Sequence, residues 1–206
     1  MRHLIMSPST VAATALLLVT SGMSCGDSAV SNDDPARRAY LGIDSAIDKA
    51  ISLGLQGFNT ALSPNISPQT AAGGVMGTLV VGGRVDRGSG PNRGMSLTTT
   101  FTMYEDLVPS PEDSGTIDVV YDGQASSPTL NLSLRGIPNG TFTGTFVQTL
   151  HLSGNLSGDV YLNLMLSGSI RAAGSAGSMF ERTPGTMSIT GTAMSSYGSR
   201  TVNLMR

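Results

Sequence analysis

The sequence predicts an α+β fold: one long N-terminal helix packed on the concave face of a curled antiparallel β-meander of eight or nine strands. Three observations carry this expectation. Apolar residues recur every three or four positions before Pro64, then every second position from Val75 onward. The strands are too many for one helix to cover as a flat layer. Glycines fall on the apolar side of several strands, where they permit bending.

The helix is expected over 35–62. Asp34 is suited to cap it and Pro35 to occupy its first position. Ala36, Tyr40, Ile43, Ile47, Ala50, Gly54 and Phe58 then share one face. Such a helix is about 42 Å long, and Pro64 and Pro68 stop it. Ile43, Ile47, Ala50 and Phe58 should face the sheet. Arg37, Arg38, Asp44 and Asp48 should face water.

The sheet is expected over 74–206. Val75, Leu79, Val81 and Val85 share a face, as do Met95, Leu97, Phe101 and Met103. The same alternation runs through Leu130–Leu134, Phe142–Leu152, Val160–Ile170 and Met187–Ala193. Opposite faces carry hydroxyls, as in Thr98, Thr100 and Thr102, or Thr141, Thr143, Thr145 and Thr149. Clean alternation of this kind belongs to antiparallel strands with one wet face. Turns fall at "RGSGPNRG", "VPSPEDSG", "YDGQASSP" and "GIPNG".

Eight strands at ~4.8 Å make a sheet roughly 38 Å wide, whereas a helix covers about 10 Å. A closed eight-stranded barrel has room only for side chains. An open, curled sheet that grips the helix meets both constraints. Gly77, Gly83, Gly144, Gly154, Gly158, Gly168 and Gly191 lie on the inward parity and would ease the curl.

The first 24 residues read as an export signal. Arg2 and His3 are followed by the apolar run "VAATALLLV" and the small, polar "TSGMS". This nine-residue run, eight of them apolar, is far short of the ~20 needed to span a bilayer. Cys25 is the only cysteine in the chain, so it cannot form an internal disulfide. Its setting resembles a bacterial lipoprotein signal, in which small residues precede a lipidated cysteine. Ser24 and Met23 suit that pattern, and Gly22 departs from its usual leucine. The resemblance implies lipidation at Cys25; the polar residues that follow read as a tether over 25–34, and the remaining length suits a single α+β domain over 35–206. Gly26, where an aspartate would favour the inner membrane, implies the outer membrane. A soluble periplasmic or secreted protein is the alternative.

Composition narrows the function classes. A formal net charge of −2 argues against a nucleic-acid partner. Lys49, the only lysine, reads as a coding bias. His151 is the one histidine beyond the signal, and its strand position is on the hydroxyl face. Glu105, Asp106, Glu112 and Asp113 gather near one loop and read as a solvated acidic turn without calcium-loop spacing. Asp118 and Asp122 share a strand parity and suit a polar outer face. "DRGSGPNRG", with Arg87 and Arg93, lacks a P-loop lysine and reads as a hairpin. No zinc-ligand spacing, metal site, cofactor motif or nucleophile elbow is present. Few aromatics and no tryptophan argue against a transmembrane barrel.

Two expectations remain. The first is a non-enzymatic binding or interaction module on the cell envelope, tied to the membrane through Cys25. The second is a carrier of an apolar ligand such as a lipid or acyl chain, held in a groove between helix and sheet. Met95, Met103 and Met187 share the inward parity and would line that groove, because methionine adapts to varied apolar partners.

Overall fold

The computed structural model describes residues 35–107, 118–173 and 179–206. Helix α1 spans Pro35–Thr60. Ten strands follow: β1 Asn65–Ala72, β2 Met76–Val85, β3 Arg93–Glu105, β4 Val119–Gln124, β5 Leu130–Arg135, β6 Gly140–Gly154, β7 Gly158–Ala172, β8 Phe180–Arg182, β9 Ser188–Ser195 and β10 Gly198–Met205. All pair antiparallel, in the order β1-β2-β3-β4-β6-β7-β9-β10. Among the described residues the fold is therefore α+β, with one helix and a ten-stranded antiparallel sheet, one strand more than the upper expectation.

The two short strands β4 and β5 lie end to end between the long β3 and β6. Their junction interrupts the ladder beside Thr99. There Thr129 N donates to Leu97 O at 2.8 Å, and Thr99 N donates to Thr129 Oγ1 at 3.2 Å. Gln148 Nε2 donates to Thr99 O at 3.3 Å. Thr99, Thr129 and Gln148 are all buried. They replace ladder bonds that the junction cannot make, as buried backbone polar groups require.

Helix α1 lies in the hollow of this sheet, with one strand system on each flank. On one flank Gly57 sits over Ile66 of β1, where an added Cβ would lie 2.7 Å from Ile66 Cδ1. Lys49 Nζ reaches the Ala72 carbonyl of β1 at 3.3 Å. On the other flank Asn59 Nδ2 donates to Phe180 O at 2.7 Å, and Phe180 N returns a bond to Asn59 Oδ1 at 3.3 Å. Arg182 pairs with Asp48 at 2.8 Å, and Arg206, after β10, pairs with Asp44. The deep face meets the sheet: Gly42 lies against Tyr121, Gly54 against Leu97. Tyr121 OH donates to Ala39 O at 3.1 Å. Fifteen of the 26 helix residues are buried, far more than the single stripe of a surface helix. Ser52, Gln56 and Thr60 trace its exposed line.

Several expectations need correction. The helix ends at Thr60, two residues early, and the chain turns into β1, which begins ahead of the expected sheet. Asp44 is buried, 2 % exposed, because both flanks of α1 are covered. Tyr40 OH donates to it at 2.8 Å. Ile43, Ile47, Ala50 and Phe58 are buried as expected. Gly83 and Gly191 have φ of 128° and 139°, and added Cβ atoms there would lie 2.5 and 2.2 Å from carbonyl oxygens of the next strand.

Candidate functional site

The methionine groove does not form. Met95 and Met187 are closed into the core at 3 % and 0 % exposure, whereas Met103 is 50 % exposed. A bulge explains the separation. The β3–β4 register shifts between Phe101 and Tyr104, and Met103 takes a φ of 46°. One extra residue reverses the parity of the strand beyond it. Met103 thus leaves the core and Tyr104, fully buried, enters it. Met103 N donates to Asp122 Oδ1 at 2.7 Å, which holds the bulge.

The acidic cluster also divides. Glu105 and Asp106 are buried, so they are not part of a solvated turn. Glu112 and Asp113 lie outside the described residues, as do Cys25, the signal over 1–24 and the tether to residue 34. Burial pushes the Glu105 carboxyl up, and the neighbouring Asp118 carboxylate adds to the rise.

Asp106 is the centre of a polar knot at the end of β3. It accepts hydrogen bonds from Ser45 Oγ and Tyr104 OH, from Lys49 Nζ at 2.8 Å, and from Gly74 N at 2.6 Å. Burial alone would raise its pKa. The donors outweigh burial, Lys49 foremost, then Ser45, Tyr104 and Gly74, and hold the carboxyl below its ordinary value. Burial, then the bond to Asp106, pushes the Tyr104 hydroxyl well up. Lys49 spends its three donors on Asp106, on Tyr104 OH at 3.0 Å and on the Ala72 carbonyl. The knot neutralises a charge pair and ties α1 to β1 and β3. It presents no free nucleophile. The solitary Lys49 and the acidic run that holds Asp106 are its traces in the sequence.

His151 Nδ1 lies 3.0 Å from Asp159 Oδ1, both exposed on adjacent strands, as its hydroxyl-face position implies. "DRGSGPNRG" is the β2–β3 hairpin turn, in which Gly88 N donates to Asp86 Oδ1 at 2.8 Å. Among the described residues no group of three or more His, Cys, Asp or Glu side chains is placed to hold a metal. No described helix is long and apolar enough to cross a membrane.

Two of the concavities on the described surface have the volume of a small-ligand site. A groove of 480 Å³ runs between α1 and β8, with Ser52, Leu55, Gln56 and Phe180 in its walls. A wider trough of 640 Å³ lies over β2, β3, β5 and β6. Strand register builds its floor: Arg84 pairs with Ser96, Ser96 with Asn131, and Asn131 with Thr145. These four side chains are exposed and form one polar row across the sheet. Gly94 sits beside that row, opposite Ser133. Its polar row lies outside the inward pattern, so hydrophobic periodicity does not mark it, although the inward Val85, Met95 and Leu132 also border the space.

No family model matches the chain, and no curated protein or solved structure matches it.

Proposed function

We propose that the chain is an exported cell-envelope lipoprotein, anchored through Cys25, that acts without catalysis as a binding module through its outer surface. The anchor reading rests on the signal-like segment ending at Cys25. Gly26 after that cysteine favours the outer membrane. The single observation that carries the functional reading is the filling of the hollow by α1. Ile43, Ile47, Ala50 and Ile51 are all 0 % exposed and occupy the space that a carrier would reserve for cargo. The carrier alternative keeps only the 480 Å³ groove between α1 and β8, which Leu55 and Phe180 border. What remains for recognition is the outer face, rich in threonine, serine and asparagine. The spent donors of Lys49 and the exposed pairing of His151 further support a non-enzymatic role.

Intact-mass measurement of membrane-extracted protein tests the anchor. Mature protein should begin at Cys25 and carry acyl chains, and Cys25→Ala should release it from membranes or block its processing. A start elsewhere, or an unmodified thiol, removes the anchor from the proposal. A fluorescent fatty acid tests the module reading. Saturable uptake at micromolar protein would restore the carrier; none is expected.

A further inference from the structure

We propose that the open trough over β2, β3, β5 and β6 is a binding site for a neutral saccharide chain. The proposal rests on the reading of the protein as a binding module and names the ligand class of that module.

Shape comes first. At 640 Å³ the trough falls within the range of small-ligand sites, roughly 300–1,000 Å³. It is a hollow on the outer side of a curled sheet, where curvature by itself makes a bulging surface. Gly94 helps to keep it empty. An added Cβ at Gly94 would meet no atom within 4 Å, and its backbone is not in the left-handed region. Neither crowding nor conformation therefore requires glycine at this position. Gly83 is the contrast, since both its φ and the nearby Ser96 carbonyl demand it. Glycine weakens a strand and marks places where a ligand comes close to the backbone. At Gly94 it supplies room, and the room opens into the trough.

The lining chemistry selects the occupant. Ser96 Oγ donates to Asn131 Oδ1 at 2.8 Å, which orients the Asn131 amide so that its N–H groups can serve a ligand. The hydroxyls of Ser133, Thr143 and Thr145 also line the space. Each both donates and accepts, as sugar hydroxyls do. Arg84 and Asp86 stand at one wall with opposite charges, so the site has no surplus to attract an anion. Nucleic acid would require a basic excess. A sugar ring has a polar rim and apolar faces, and it fits hydroxyls set among glycine backbone and threonine methyls.

The test is calorimetric titration of the mature protein with maltohexaose, cellohexaose and chitohexaose, with amide-shift mapping. Polygalacturonate serves as the anionic comparator. At least one neutral hexasaccharide should bind and shift amides at Arg84, Gly94, Asn131 and Thr145. Gly94→Leu, which fills the trough, and Asn131→Ala, which removes the amide, should each weaken binding by about tenfold or more. Both should keep the wild-type melting temperature; if Gly94→Leu fails to fold, Asn131→Ala decides. The proposal is overturned if no neutral hexasaccharide binds at about 5 mM, if polygalacturonate binds more tightly, or if binding survives both variants. Neither variant alters Cys25 processing or fatty-acid exclusion, so failure here leaves the wider reading to its own tests.

Discussion

Asp106 and Glu105 are adjacent in the chain, yet their surroundings shift them in opposite directions. At Asp106 burial opposes the charge, but donors from Lys49, Ser45, Tyr104 and Gly74 prevail and lower the pKa. A carboxyl lowered on folding binds fewer protons in the native state. Its stabilising contribution is complete above the ordinary aspartate value of ~3.9 and is lost as pH falls through the native value. Glu105 is raised, by burial first and by Asp118 next. Its contribution favours folding below the ordinary glutamate value of ~4.3 and is lost as pH rises through the native value. Asp106→Asn should therefore cost about 1.5–3 kcal/mol near neutrality, the usual worth of charged hydrogen bonds. That deficit should shrink below about pH 4. Glu105→Gln should raise the melting temperature at neutral pH and lose that advantage in acid. Thermal melts across pH check both. An Asp106→Asn deficit that persists unchanged in strong acid would show that the knot acts through shape and not charge.

The elements differ in how far the sequence exposes them. Strands β6 and β7 alternate through fifteen residues each, and period two marks them plainly. Helix α1 is legible because its apolar spacing persists for more than six turns. Strand β1 is not, since "NISPQTAA" holds a proline and little alternation. It is an edge strand beside α1, where Pro68 costs no ladder bond. Strand β8 has three residues and exists because β7 and the Asn59 side chain hold its two edges. The β3 bulge is hidden for another reason. Periodicity assumes an unbroken register, and one inserted residue invalidates every parity beyond it. Hence periodicity puts Met103 inward and Tyr104 outward, the reverse of what the bulge produces. The trough is illegible because it depends on which polar residues stand side by side across four strands. Alanine substitutions test the parity reversal. Met187→Ala should cost about 2–5 kcal/mol as a core truncation, whereas Met103→Ala should stay within about 0.5 kcal/mol. Equal losses in chemical denaturation would return Met103 to the core.

At the scale of the molecule, the distinction between binding module and carrier depends on whether α1 is a fixed part of the core or a removable cover. The contacts favour a fixed part. Asp44 and Asp48 are each ion-paired to residues near the far end of the chain, and Lys49 is tied to β1 and β3. Gly42 and Gly54 bring the helix backbone so close to Tyr121 and Leu97 that no side chain fits between. Withdrawal of α1 would expose its buried leucines and isoleucines together with the inner face of the sheet. Burying one such side chain is worth roughly 1.5–3 kcal/mol, so withdrawing several would consume a stability of about 5–15 kcal/mol. Helix and sheet should therefore open only together. Native-state hydrogen exchange reads this directly, because a segment that opens alone exchanges with a free energy below the global value. The amides of Ile47, Ala50 and Ile51 should exchange at the same free energy as those of Phe146 and Leu164. All should respond alike to low denaturant. Helix amides that exchange several kcal/mol more easily than the β6–β7 core would identify α1 as a cover able to leave the sheet. The concave face would then be open to an apolar ligand, and the carrier reading would replace the surface module.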